Sequence, residues 1–365
     1  MPHMNIVDAT ADYEKWLAKQ VELNKADLAL KHQQMAEALF PFMRATFYRW
    51  IQTWPEACPE LSKAPLVLGV GDLHVDNFGT WRDIEGRLVW GVNDFDEAAM
   101  FPYTNDLVRL AASACIAIES SRLELHARSA CAAILDGYSE WLRAGGRPYV
   151  LDESAPWLSE IAAMEVKDPI AFWSKLKALP SAANKIPDAA AALLSKSFPE
   201  PMPYRILRRT AGLGSLGLPR FVGLSDWNGG SIARQVKALV QSAHAWARGI
   251  PGNGIRYAEI HAGAIRSPDF TLKVEAGWVA RRIAPDCKKI ELATMPAKKD
   301  EVLFLKAMGG DTANVHLGSK RAIPAVLKDL AARTKGDPEW LANAAKSTIE
   351  RLRADHREWK KHFGG

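Results

Sequence analysis

The chain has 365 residues, of which 48% are hydrophobic and 24% charged, a globular balance that argues against a disordered or fibrous protein and, at this length, favours two lobes around a cleft. The net charge of +5 is spread through the sequence, and its densest run, Arg351 to Lys361, contains Asp355 and Glu358; such mixing marks a solvated helix face, so no nucleic-acid partner is expected. The four cysteines, Cys58, Cys115, Cys131 and Cys287, form no CxxC or other close pairing; no run approaches the roughly 18 apolar residues of a membrane span, and no basic-then-apolar leader opens the chain. These features predict reduced thiols, no membrane insertion and a cytoplasmic protein.

In chain order, Ala11 to about Trp54 carries apolar residues at helical spacing and predicts two or three helices, with Pro41 marking a break. The period then changes. Pro65 to Asp72 and Gly86 to Asp94 are short apolar runs bounded by glycine and acid, the pattern of buried strands, and each ends in an aspartate. One long helical stretch is predicted from Asn105 to about Arg143, stopped by Gly145-Gly146, with more helix from Trp157 to Leu179. Pro180 to Pro203, rich in alanine, proline and serine, reads as a connection between lobes. From Tyr204 to about Leu292 strand-like runs (Arg220 to Leu224, Ser231 to Leu239, Gly277 to Ile283) alternate with turns, and Glu301 to His362 is helical again.

The chemistry-bearing residues gather at the ends of the two early strands. Gly71-Asp72-Leu73-His74-Val75-Asp76-Asn77 places an aspartate and an asparagine five residues apart, and Asn93-Asp94-Phe95-Asp96-Glu97 adds carboxylates after the next strand. Phosphoryl transfer needs a carboxylate to orient the acceptor hydroxyl and oxygen ligands that hold magnesium on nucleotide phosphates. Asp and Asn also serve as turn formers. A strand before each half of the pair favours the phosphate-handling reading.

These stretches, with Asp106-Leu107-Val108-Arg109-Leu110, resemble the catalytic core of aminoglycoside phosphotransferases and related kinase-like enzymes. The chain is similar, more closely, to the bacterial family DUF2252, through Phe42-Met43-Arg44, the two acidic motifs, a later glycine loop and Lys237. The resemblance implies that Asp72 is the catalytic base, that Asn77 and Asp94 are magnesium ligands and that Asp106 is a buried acid bracing the catalytic loop; His74 and Asp96, within the same two motifs, are supporting candidates. Kinases usually carry a histidine two residues before the catalytic aspartate; here that position is Val70. Arg281, Arg282, Asp286 and Lys288 resemble a further polar motif of DUF2252 near the cleft.

The phosphate cover is expected from the second half. Gly212-Leu213-Gly214-Ser215-Leu216-Gly217 is a G-x-G-x-x-G, but Pro219 and a strand-like run follow it where a dinucleotide fold needs a helix, so a kinase-type glycine hairpin fits better. Lys237, twenty residues on in a β-like run, stands where a kinase places its phosphate-gripping lysine, and Glu259 is the nearest helical candidate for its carboxylate partner. The acids precede the glycine loop, the reverse of the kinase order.

The expectation is therefore an α+β, two-lobed, protein-kinase-like fold, circularly permuted: a mainly helical catalytic lobe over 1–195, a β-rich nucleotide lobe over 204–300, and a helical tail over 301–365. The expected activity is ATP- and magnesium-dependent phosphotransfer to an unidentified small-molecule or protein acceptor. Two alternatives stand beside it: a nucleotide-binding regulator without catalysis, and a metal-dependent phosphoesterase, for which Gly71-Asp72-Leu73-His74 looks like an opening ligand motif but His244, His261 and His316 lack the accompanying spacing.

Overall fold

The computed structural model describes residues 4–121, 123, 125–164, 168–250, 254–292 and 298–363 as a mixed α+β protein. Four helices open the chain: α1 (Ile6–Ala18), α2 (Lys25–Glu37), α3 (Leu39–Ala45) and α4 (Phe47–Ala57). Asn5 and Asn24 cap the first two, their side-chain oxygens accepting the N–H groups of Asp8 and Asp27 at 2.8 and 3.0 Å. Pro41 does not mark the break expected of it. It sits in the first turn of α3, where no helical N–H is needed, and the break falls at the extended Ala38 (φ −152°).

The acid-bearing strands belong to different small sheets. β1 (Leu66–Gly69) pairs antiparallel with β4 (Ala99–Pro102), whereas β2 (Phe78–Arg82), β3 (Leu88–Val92) and β5 (Tyr149–Val150) form a three-stranded sheet. The helical stretch expected to be continuous is two packed helices, α5 (Tyr103–Ser121) and α6 (Ala127–Ala144), the second closed by Gly145 in the left-handed region (φ +83°). Their contact brings the sulfurs of Cys115 and Cys131 to 3.8 Å, a pairing that a separation of sixteen positions in sequence conceals.

Three shorter helices follow: α7 (Leu151–Ser154), α8 (Pro156–Met164) and α9 (Pro169–Lys177). The segment that composition suggests is a plain connection contains α10 (Asp188–Lys196). Beyond it, β6 (Arg205–Arg208), β7 (Arg220–Trp227), β8 (Gly230–Ala238), β9 (Lys273–Glu275) and β10 (Trp278–Ile283) build an antiparallel sheet in the order β6-β7-β8-β10-β9, with α11 (Ala243–Arg248) and α12 (Tyr257–Gly263) between β8 and β9. Asn228 and Gly229, both at positive φ (48° and 84°), make the two-residue turn joining β7 to β8.

Strand alternation gives this sheet two different faces. Phe221, Val236, Ala238, Trp278 and Ala280 point to one side, where Leu193 and Leu194 of α10 cover them. On the other side Val222, Leu224, Ala233 and Ile283 pack under Leu176 of α9. That apolar patch covers only part of the second face; Arg220, Gln235, Lys237 and Arg281 share its parity and occupy the rest.

The tail comprises α13 (Lys298–His316), α14 (Ile323–Gly336) and α15 (Trp340–Phe363), and it joins the main hydrophobic core with the N-terminal helices and α5–α6. Buried Arg49 of α4 donates to Asp355 of α15 at 2.8 Å, so the two ends of the chain close on one another. No helix among the described residues is long and apolar enough to cross a membrane.

Candidate active site

Each acid-bearing turn is held by a buried helix carboxylate. At the end of β1, Gly71 adopts φ +80°, and a Cβ there would stand 2.6 Å from the Glu97 carbonyl oxygen, so only glycine makes this turn into Asp72. The N–H groups of Val70 and Gly71 donate to Asp106 of α5 at 2.6 and 3.0 Å. His316 of α13 approaches Asp106 through Nε2 at 3.1 Å, and its Nδ1 lies 2.9 Å from the Tyr138 hydroxyl. A histidine thus reaches the loop's brace from the tail, not from position 70. At the end of β3, the Val92 N–H donates to Asp311 of α13 at 2.7 Å.

The acids that emerge from these turns face a common space. Arg109, fully buried one turn along α5 from Asp106, donates to Asp72 Oδ1 through both Nε (2.9 Å) and Nη2, while its guanidinium lies over the rings of Phe47 and Trp50 at 5.1 and 5.0 Å. Burial raises the Asp72 carboxyl above its ordinary range even against the pull of Arg109. Asn77 donates through Nδ2 to the carbonyls of Asp72 and Asp94, both at 3.1 Å, which leaves its amide oxygen as the free end.

Lys237 joins the two halves. Its ammonium donates to Asp94 at 2.9 and 3.1 Å and to Asp96 at 2.5 Å, and the side chain is 2% exposed on an interior strand. Despite burial, which opposes ionisation, Lys237 holds the Asp94 carboxyl far below the ordinary carboxylate range. Burial and the charge of Asp94 push Asp96 the other way, to about 7. Asp96 Oδ1 is buried without a hydrogen-bond partner. Burial also pushes the neighbouring Glu97 to about 8, although its carboxylate accepts the Ala243 N–H at 2.7 Å.

The glycine loop connects β6 to β7 and places a short 3-10 turn, Leu213–Ser215, over Asp72. A Cβ on Gly214 would stand 3.1 Å from the Arg44 carbonyl oxygen and 3.4 Å from Asp72 Oδ2. Gly212, Gly214 and Ser215 line the cleft, whereas Gly217 lies behind it, accepting the Asn24 N–H at 2.9 Å. The inner chamber, about 130 Å³, is lined by the polar Asp72, Asn77, Asp94, Asp96, Glu97 and Lys31 and by apolar side chains that include Leu17, Leu218 and Val240. An outer mouth of about 430 Å³ shares Arg44, Asp94, Gly212, Leu213, Arg281 and Lys289 with it.

Several side chains lie elsewhere than the sequence suggested. Arg282 lies outside the cleft, bonded to Asp286 at 2.9 Å, because successive strand residues point to opposite faces and Arg281 takes the inward place. Glu259 pairs with Arg256 at 2.6 Å, so the partners of Lys237 are the strand-end acids themselves. His74 is buried in the cleft wall with Nδ1 unpartnered, and burial holds its ring well below the ordinary histidine range.

Further cations line the cleft. Lys31 of α2, 3% exposed, reaches only the Gly214 carbonyl oxygen at 3.5 Å; its position between Leu28 and Met35 on an otherwise apolar helix face was the available signal. Arg44 pairs with Asp76 at 2.8 Å, and Lys289 lines the mouth without a hydrogen-bond partner among the described residues.

A fit to magnesium rests on three features: the buried orphan oxygen of Asp96, the free amide oxygen of Asn77 and the ionised Asp94. Among the described residues no three His, Cys, Asp or Glu side chains are grouped to hold a metal ion.

The chain is similar over residues 23–192 to DUF2252, described as an uncharacterized protein conserved in bacteria. That span carries Asp72, Asn77, Asp94, Asp96 and Asp106 and ends before the glycine loop and Lys237. No curated protein and no solved structure matches the chain.

Proposed function

We propose that the protein is an ATP-dependent phosphotransferase whose cleft is a permuted kinase-like site. The observation that carries this reading is the Lys237 ion pair with Asp94 and Asp96: the lysine strand that follows a glycine hairpin meets the acids of an earlier segment on one cleft. The apolar lining of the chamber suits a purine base, and the loop over Asp72 suits phosphates, whose oxygens would accept the N–H groups of Leu213 and Gly214.

In this mechanism Lys237 turns from its carboxylates to the nucleotide phosphates, and Asp72, oriented by Arg109, accepts the proton of an acceptor hydroxyl. The acceptor oxygen forms the new P–O bond as the bond to the γ-phosphorus breaks, leaving ADP. Asp94, Asp96 and Asn77 would hold magnesium, which when bound would neutralise phosphate charge. Asp106 and Asp311 fix the two turns so that the acids keep their separation while the glycine loop moves.

Incubation of cell extract with γ-labelled and, separately, α-labelled ATP tests the reading. Transfer of the γ label that depends on Asp72 supports it, and transfer of the α label would make the protein a nucleotidyltransferase. The occupation of Asp72 Oδ1 by Arg109 beneath a closed glycine loop favours a second reading, a nucleotide-binding regulator. Nucleotide binding with no label transferred selects it.

A further inference from the structure

The inner face of the five-stranded sheet carries more positive charge than the acids of the cleft offset. Arg220 and Lys237 stand directly opposite one another on β7 and β8, and Arg209, whose N–H donates to the Arg220 carbonyl, continues the row at the end of β6. Arg281 lies one step away on β10, opposite Gln235 on the same face. Lys289 completes the rim. Like charges directly across a ladder repel, so such a row costs stability in the absence of a counter-anion.

Of this row only Lys237 forms ion pairs with carboxylates, although the charges of Asp94 and Asp96 also reach Arg220 and Arg281. Arg209 donates to Gln235 Oε1 at 2.7 Å, Arg220 to Ser215 Oγ at 2.7 Å, and Arg281 to the Asn93 carbonyl and side-chain oxygens at 3.0 and 3.2 Å, all neutral acceptors. None of Arg209, Arg220, Arg281 and Lys289 has an ion-pair partner among the described residues, and all four line the outer mouth. Acids at that mouth are the exposed Glu37 and Asp94, the latter already bound by Lys237. Burial and the nearby charges of Arg220 and Arg281 press the Arg209 guanidinium down to about 10, as mutual repulsion requires. Each guanidinium has five donors and spends one or two, leaving forks directed at the mouth.

We propose that the outer mouth is an anion site and that the acceptor of the phosphoryl group itself carries a phosphate. The assignment rests on the phosphotransferase reading above. A phosphomonoester brings up to two negative charges and three terminal oxygens to a mouth with four unpaired cations, more than a single carboxylate can match. Its hydroxyl would then extend inward past Arg281 towards Asp72. A cationic acceptor would meet like charge on this path.

Calorimetric titration of the full chain with glycerol 3-phosphate, at saturating magnesium-ADP, tests this. The expected result is binding in the presence of ADP, weakened at least tenfold in Arg209→Gln and in Lys289→Gln but unchanged in Arg282→Gln, whose side chain points out of the cleft. Glycerol, which lacks the phosphate, should not bind. Displacement of ADP by glycerol 3-phosphate would assign the cations to the nucleotide, and equal affinity in Arg209→Gln would remove the mouth from recognition; either overturns the proposal. If magnesium-ADP itself fails to bind, the phosphotransferase reading falls and the acceptor assignment falls with it, a result distinct from nucleotide binding without glycerol 3-phosphate.

Discussion

Lys237 Nζ lies 2.9 Å from Asp94 Oδ2 although 143 residues separate them in sequence. This pair ties the five-stranded sheet to the turn after β3, and it places one cation between two carboxylates of opposite titration behaviour. Lys237→Met leaves both acids without their counter-charge in a confined site. The expected cost is about 2 to 3 kcal/mol, discounted from a fully buried pair because Asp94 is partly exposed. Added magnesium should restore more of the melting temperature in Lys237→Met than in the parent, since the ion replaces the lost positive charge; equal shifts in the two proteins would contradict the proposed metal site.

Substitutions at Asp72 and Asp94 are expected to separate the transfer step from binding. Asp72→Ala is expected to lower kcat by roughly 10² to 10⁴ with little change in nucleotide affinity, the effect of losing a proton acceptor. Asp94→Ala is expected to abolish magnesium-dependent ATP binding while the protein stays folded. Labelled-ATP assays and equilibrium binding on the two variants check this, and a magnesium-dependent ATP affinity that survives in Asp94→Ala refutes the metal assignment.

The raised carboxyls predict the pH dependence of stability. Asp96 and Glu97 are pushed from ordinary carboxylate values up to about 7 and about 8. In the unfolded chain both lose their protons near pH 4, so between about pH 4 and about pH 8 the folded state holds more protons than the unfolded one and stability falls as pH rises. Magnesium should reverse part of this loss, most strongly at the alkaline end where Asp96 is ionised. Asp96→Asn and Glu97→Gln should each flatten the slope of melting temperature against pH; an unchanged slope in both variants would exclude these two groups as its source.

Much of this site was legible before any coordinates, and the illegible part has definite causes. Asp72, Asp94 and Lys237 stand out because strand patterns end on them or contain them, Asn77 stands out by its spacing from Asp72, and a strand end is where a side chain can leave the sheet. The sequence points to a helical partner for Lys237, Glu259, because nothing in it reveals that Asp94 and Asp96 already surround the lysine. Arg281 and Arg282 are adjacent, and only the register opposite Gln235 decides which faces inward. Arg109 carries a weak signal, three residues after Asp106 on one helix, so that one turn of α5 both braces the loop and orients its aspartate. The helix within residues 180–203 was hidden by flanking prolines, which end helices but do not forbid one between them.

The brace itself should be testable apart from the chemistry. Asp106→Ala removes the acceptor of the buried Val70 and Gly71 N–H groups, at an expected cost of about 2 to 4 kcal/mol. Asp106→Asn keeps one acceptor oxygen and should recover a large part of that stability, while transfer stays depressed because the turn into Asp72 loosens. Denaturant midpoints and labelled-ATP turnover on the two variants measure the two effects separately, and full activity in Asp106→Ala would show that the turn holds without it.

The proposed nucleotide site implies that the glycine loop moves to admit a ligand to the inner chamber. An inner chamber of about 130 Å³ is well below the roughly 300 to 1,000 Å³ of ligand pockets, and its roof is Gly214, seated against the Arg44 carbonyl and Asp72. Opening would lift residues 209–219 while the β6 and β7 anchors stay paired, and closing would seat them over the phosphates. Amide hydrogen exchange over 212–216 should be fast in the free protein and slowed by magnesium-ATP. Gly214→Val adds a branched side chain where even a Cβ is already close to backbone, so the loop can no longer seat: exchange should stay fast with nucleotide present and transfer should fall at least tenfold. A Gly214→Val variant with parental exchange and parental turnover would show instead that the loop need not touch Asp72, and that the chamber opens along another edge.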